Sequence, residues 1–527
     1  MSDATLLVGG RVFTGRRYCD ALLIEDGRVT LAGSEDEVRR ASPTGSDRRT
    51  LGGSLVVPGL LDAHLHVADV TRFREGLHLG GVDSVDHLVE AIREWASGHP
   101  SGSVVGRGWD PERSHDRVWP TRHDLDRAVS DRPVFVVHVS GHAGIANSAA
   151  LARAGIGDRS PDPVGGRLGR SPDGVVDGRV FERAVREFVG RPDDLDLPSP
   201  EALRRTMQWA ATFGLTSLGA MSASPEEAVA LRGLAAAREL PGRVRVYLHG
   251  ARWEEYFRGP SGPVVAPDRF AVVGVKEFTD GAFGPRTAWL SAPYEDDPEN
   301  SGLPVAREDV LRALLAAIAQ RSLAPALHAI GDRAVELALD VLGPYARRDG
   351  APARIEHAAL TPPSLFPKLA RVRPALVVQP GFVWSDHWLA ARLGTARARW
   401  AYAFRTLGHQ GHLLAGSSDA PYDPVDPWRG IRAAVERVDP DGKSANPTPE
   451  ERLTPEEAIR LYTANAGSAL GEPGLGRLEP GSPADLVILT APSLTLAVSA
   501  GAAAVQETWV AGALVARGAG SPHAERV

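Results

Sequence analysis

A chain of 527 residues, 43% hydrophobic and 24% charged, holds enough apolar material for a large buried core and too much length for one ordinary domain. Its formal net charge of -7 provides no global field for nucleic acid or an anionic membrane, and no apolar run approaches the ~20 residues that span a bilayer. The N-terminus lacks the basic-then-apolar order of a signal peptide, and a single cysteine, Cys19, excludes both a disulfide framework and a multi-cysteine metal cluster. The expected setting is therefore cytoplasmic, with a small-molecule substrate as partner, no nucleic acid, no membrane, and a homodimer left open.

In chain order, residues 5–13 (TLLVGGRVF) and 20–33 (DALLIEDGRVTLAG) read as short strands broken by turns, the second a hairpin bent at Asp-Gly. The C-terminal stretches 476–490 and 507–518 have the same character. The two ends are expected to pair as a small β-sandwich, residues 1–56 with 470–527. Between them apolar runs alternate with helical patterns. Strands are predicted at 55–66, 215–221, 244–250, 272–281, 323–330, 353–360, 375–382 and 413–421. Helices are predicted at 308–320 and 332–343, where apolar residues recur at helical spacing. This order defines an α/β chain, and a (β/α)8 TIM barrel over 57–469 is the expected fold. An open doubly wound sheet is the alternative, but no glycine-rich phosphate loop opens the first unit. Residues 67–214 far exceed one crossover, so an inserted subdomain of about 67–200 is expected beside the catalytic face.

Parallel barrels carry their functional residues at the C-terminal ends of the strands. His64 and His66 lie two apart on one strand and point to the same side, where two imidazoles can grip one metal ion. His328 and His357 end two successive strands, and Asp419 ends the last. Asp419 could simply cap the turn before Ala-Pro; beside four histidines it reads as a ligand and proton carrier. Lys276 sits inside an apolar strand, in a chain whose 59 basic residues include only two other lysines, Lys368 and Lys443. A salt bridge to Glu277 or Asp280 is its ordinary reading. Carboxylated on its amine by carbon dioxide, it would instead offer two oxygens that bridge two metals. Four neutral histidines with two anionic ligands suit a pair of divalent ions; imidazole favours zinc, with manganese or iron as alternatives.

These motifs resemble the amidohydrolase superfamily, and within it the YtcJ-like metal-dependent hydrolases, or amidohydrolase family 3. The similarity runs through PGLLDAHLH (58–66), VVGRGWDPERSHDRVWPTRHDLD (104–126) and PVFVVHVSGHAGIANSAAL (133–151). It continues in VKEFTDGAFGPRTAWL (275–290), LHAIGDRAVELALD (327–340), RIEHAAL (354–360) and AGSSDAPYDPVDPWRGI (415–431), then in 453–467 and 481–489. The resemblance implies a barrel with a terminal β-sandwich. It implies that His64 and His66 bind the more buried metal and His328 and His357 the more exposed one. Lys276 would bridge both, and Asp419 would bind metal and shuttle protons. Phe283-Gly284-Pro285-Arg286 departs from the leucine-glycine-serine-arginine common in this branch.

The implied reaction is hydrolysis of a C–N bond in an amide, N-formyl or cyclic amide. Trp109, His142, Asn147, Arg286, Trp384 and His387 are the candidate substrate-pocket residues, and a tryptophan-rich rim leans toward an apolar or aromatic substrate. Deamination, ester hydrolysis, lyase or isomerase chemistry on the same scaffold, and a silent binding or regulatory role are the competing readings.

Overall fold

Gly59 divides the apolar run 55–66 between two sheets. Leu55–Pro58 pairs with Leu486–Leu489 and Arg11–Phe13, whereas Leu60–Leu65 opens the barrel. A Cβ at Gly59 would lie 2.4 Å from Thr216 Oγ1, so only glycine lets the chain cross there. In this computed structural model, residues 4–518 are described apart from 116, 164, 190–196, 260–265, 346–349 and 439–447.

The barrel strands are β1 (Leu60–Leu65), β2 (Leu215–Ala223), β3 (Arg243–His249), β4 (Phe270–Phe278), β5 (Ala324–Ala329), β6 (Arg354–His357), β7 (Ala375–Val378) and β8 (Leu414–Gly416). They form one eight-stranded sheet in sequence order, each neighbour parallel to the next. The chain just beyond β8 closes the ring: Asp419 N donates to His64 O at 2.8 Å and His66 N to Ala420 O at 2.9 Å. Ser418 N and Oγ add bonds to the buried Asp62 carboxylate. Strands β1, β5, β6 and β7 are buried along their whole length, as parallel strands covered on both faces must be. The predicted helices form as Glu308–Ala319 and Asp332–Leu342. The second buries Ala334, Val335, Ala338, Leu339, Val341 and Leu342 on one stripe. Each buried valine or leucine among them contributes roughly 1.5–3 kcal/mol.

Strands from both ends share a six-stranded sheet that runs from Ala513–Arg517 through Leu486–Leu489, Leu55–Pro58 and Arg11–Phe13 to Tyr18–Cys19. A four-stranded sheet of Ala4–Val8, Ala21–Glu25, Arg28–Gly33 and Asp47–Thr50 packs on it, with Leu7, Val12, Leu22, Val56, Leu486 and Ile488 in the shared core. Asp26 and Gly27 both take left-handed backbone (φ 49° and 74°), the turn that the Asp-Gly pair predicts. Residues 67–214 carry a second six-stranded sheet, from Leu77–His78 to Gly166–Arg170, with helices Val85–Gly98 and Arg122–Ala128. Arg392 ties it to the barrel by reaching Glu112 and Asp296, each at 2.6 Å. No described helix is long and apolar enough to cross a membrane.

Candidate metal centre

His64, His66, Lys276, His328, His357 and Asp419 all line one cavity of about 790 Å³ at the C-terminal mouth of the barrel. β1 delivers the first two histidines, β4 Lys276, β5 His328 and β6 His357; the closing segment after β8 delivers Asp419. The imidazoles are packed together, His64 tilted against His357 with ring centres 5.3 Å apart and His328 edge to face with His357 at 4.4 Å. Candidate ligand atoms of His64, His357 and Asp419 lie within 4.8 Å of one another.

The tautomers are set by what each second ring nitrogen meets. His64 Nδ1 donates to Glu356 Oε2 at 2.7 Å, His357 Nδ1 to Gln379 Oε1 at 2.7 Å, and His328 Nε2 to the Gly281 carbonyl at 3.0 Å. Each bond consumes the ring's one proton, so a bare lone pair remains on His64 Nε2, His357 Nε2 and His328 Nδ1. Burial favours the neutral form of His357, lowering it to about 3, and of His328, lowering it well below the ordinary imidazole value. Burial works to raise the Asp419 carboxyl, whereas positive charge on His64, His66 and His357 around it would pull it well below the usual carboxylate range, a role that a cation takes over when those rings are neutral. His64 Nε2 and Asp419 Oδ1 are 3.1 Å apart, yet both are buried polar atoms without an aligned hydrogen bond. Two electron-rich atoms aimed at a common point in this way fit a cation between them.

The support behind His64 is itself charged and buried. Arg354 grips Glu356 through Nε at 2.7 Å and Nη2 at 2.9 Å, and the same Nη2 donates to Ala63 O, one residue before His64. Burial would raise Glu356; Arg354 and His64 instead hold it below its ordinary value of 4.5. Its contribution to stability is thus full above the ordinary carboxylate range and is lost as pH falls through acid. Glu356→Gln strands the Arg354 charge, so an unfolding loss of about 3–5 kcal/mol is expected in denaturant titrations. Metal affinity should fall roughly 10–100-fold because the amide no longer holds His64 in place. Unchanged metal affinity would restrict Glu356 to packing.

Backbone strain gathers at the same place. His357 (φ 74°) and Asp419 (φ 60°) both sit in the left-handed region, which costs of order 1–3 kcal/mol each unless the surroundings impose it. Lys276 is buried, its Nζ 4.6 Å from the centre of the Phe278 ring. Asp280 accepts the backbone N–H groups of Trp289, Ile330 and Gly331, and Glu277 Oε1 accepts that of Phe278.

Of the six substrate-pocket candidates, His142 alone is in the cavity wall among the described residues. It comes from the inserted sheet, 4.8 Å from the His328 ring, and donates through Nδ1 to Glu182 at 2.9 Å. Trp109 is instead core, packed on Trp119 at 5.0 Å. Asn147 spends its carbonyl on Val134 N and Ala150 N and its amide on Val129 O and Arg132 O, which leaves it no capacity for a substrate. Arg286 is locked to Asp296, Trp384 is buried near Arg429 and Arg432, and His387 is exposed outside the cavity. The expected tryptophan rim is therefore not formed; Phe278 and Tyr422 are the aromatic groups there, with Pro163, Val185, Leu197 and Val305. Sequence reasoning missed His249, although it ends the predicted strand 244–250 and lines the cavity. It also missed Glu227, which burial pushes up to about 7 and which accepts Ala68 N from across the barrel mouth. No local pattern marks that residue.

A parallel barrel whose strand ends converge neutral histidines and a buried aspartate on a cation site is the architecture of a metal-dependent hydrolase. Residues 50–516 match the profile of the amidohydrolase family, and the chain belongs to that family. It is 34% identical over 502 residues to YtcJ of Bacillus subtilis, a protein provisionally named an amidohydrolase, covering 92% of this chain and 93% of that one. It is 28% identical over 506 residues to the N-substituted formamide deformylase of Arthrobacter pascens, covering 91% of each. Among solved structures, a metal-dependent hydrolase from Pyrococcus horikoshii superposes with a TM-score of 0.77 at 28% identity, covering 94% of this chain and 99% of that one.

Proposed function

We propose that this hydrolase cleaves a C–N bond of an amide, N-formyl or cyclic amide substrate, using two divalent ions, zinc first among them. The observation that carries this reading is the convergence of His64 Nε2 and Asp419 Oδ1, buried and unaligned at 3.1 Å, with further lone-pair imidazoles and Lys276 in one cavity. His64 and His66 would hold one ion and His328 and His357 the other. Lys276, as the amine that adds carbon dioxide and releases a proton, would carry the bridging carboxylate. When bound, the ions supply Lewis acidity, lowering the pKa of water from 15.7 toward about 7 and polarising a carbonyl. Asp419, ionised and beside both His64 and His66, accepts the proton of the attacking water and returns it to the departing nitrogen. The aliphatic wall of Pro163, Val185, Leu197 and Val305 accommodates an apolar group next to the scissile bond. The relation to a formamide deformylase supports an N-acyl substrate over an ester or a ring amine.

Elemental analysis of metal-replete protein should return about two ions per chain, since a tetrahedral site uses four ligands and six converge here. Removing them with a chelator should lower the melting temperature, because the folded chain loses the free energy of binding them. A screen of N-formyl amines, N-acyl amines, cyclic amides and the matching esters tests the reaction. Turnover confined to esters, or a stoichiometry fixed at one under saturating zinc, contradicts the proposal.

A further inference from the structure

Three arginines line the cavity, and two are neutralised there: Arg72 by Asp69 at 3.0 Å, and Arg252 by Glu226 and Glu255, each at 2.6 Å. Arg183 has no carboxylate within ion-pair distance among the described residues, and its Nε is buried without an acceptor. Glu182, next in sequence, is directed to His142 instead, at 2.9 Å. We propose that Arg183 receives a carboxylate carried by the substrate, which would make this an enzyme for N-acylated or cyclic amides that bear a free acid. The inference rests on the amide-hydrolysis reading for its reaction, though not for its binding site.

The position is built rather than incidental. Glu182, the last residue of strand Val176–Glu182, adopts φ 54°, a left-handed backbone at the step into the helix that Arg183 begins. Arg183 N is then anchored to Gly165 O at 3.1 Å. A Cβ at Gly165 would stand 2.9 Å from Arg183 Cδ, and Gly165 itself has φ 76°, so a bare glycine is what gives the arginine stem its bed. Its Cδ and Nε lie against that bed and the residue lines the cavity, where a guanidinium offers paired N–H donors that a carboxylate can bridge. Pro163, Val185, Leu197 and Val305 share this side of the wall, so the acid would arrive beside an apolar group.

Calorimetry on the full-length, zinc-replete chain separates the carboxylate from the apolar contribution, with 3-phenylpropanoate, 3-phenylpropanol and phenyl phosphate as probes. Arg183→Met should weaken 3-phenylpropanoate by about 10–100-fold, the loss typical of a charged hydrogen-bonded pair, and change 3-phenylpropanol by less than about twofold. Arg183→Lys should fall between, and melting curves report whether either variant remains folded. If Arg183→Met unfolds, the Arg183→Lys affinities carry the test. Equal affinity of wild type and variant for 3-phenylpropanoate would place the acid on the metal centre and overturn the proposal. An Arg183 dependence for phenyl phosphate alone would overturn the carboxylate assignment. Turnover of N-acetylphenylalanine against N-acetylphenethylamine adds a second reading: wild type should favour the acid, and Arg183→Met should collapse that ratio. Carboxylate binding through Arg183 with neither compound hydrolysed removes the amide reading and leaves the anion site standing. Hydrolysis of both without preference, unaffected by Arg183, removes the anion site alone.

Discussion

Asp419→Asn is expected to lose at least about 10²–10⁴-fold in kcat, the range that a positioned general base contributes, while the barrel stays closed. The carboxamide occupies the same volume, and the bond that closes the barrel, Asp419 N to His64 O at 2.8 Å, belongs to the backbone and survives the change. What disappears is the anionic oxygen that stands 3.1 Å from His64 Nε2 and 3.2 Å from His66 Nε2. The loss should fall on kcat and kcat/KM alike, since the proton moves only during the reaction. Circular dichroism and elemental analysis on the same sample separate loss of the base from loss of the metal. Near-normal turnover by metal-loaded Asp419→Asn would show that another group carries the proton.

Lys276→Arg is expected to be folded, metal-poor and inactive. The change preserves charge and most of the volume, and arginine is the cation this chain uses nearly everywhere else. If Lys276 served only to balance a buried carboxylate, this would be the gentlest substitution available. A guanidinium, however, adds no carbon dioxide to become a bridging carboxylate, and as a permanent cation it cannot ligate a metal. Metal content measured beside activity decides between the two roles. Lys276→Ala offers the complement: a short carboxylic acid or bicarbonate should restore part of both readouts by supplying the missing oxygens. A fully active Lys276→Arg would sink the two-ion reading.

Much of this architecture is legible before any coordinate is drawn. All eight barrel strands fall inside the predicted runs or within two residues of them, because a strand buried on both faces writes itself as a short apolar block. All but β2 end before the run does, and β2 extends two residues beyond it. After β6 and β8 the backbone leaves extended geometry at His357 and near Asp419, and no residue pattern announces a left-handed histidine. The Asp26-Gly27 hairpin was readable for the opposite reason, since that dipeptide supplies the positive φ its turn requires. Aromatic residues misled: Trp109 and Trp384 read as a rim, but burial of large ring surface placed both in cores.

The candidate ligands are a matter of sequence, because strand periodicity and position at a strand end locate a side chain without any long-range knowledge. Everything that makes them a cation site depends on separations that sequence cannot express. Glu356 meets His64 across 292 residues and Gln379 orders His357 from the next strand, fixing which nitrogen carries the proton. The substrate side depends on tertiary structure even more, because His142 and Arg183 reach the cavity only through the docking of the inserted sheet on the barrel mouth. A side chain's chemistry is local, whereas the partner that satisfies or spares it is chosen by packing, and among the described residues packing sets no carboxylate against Arg183.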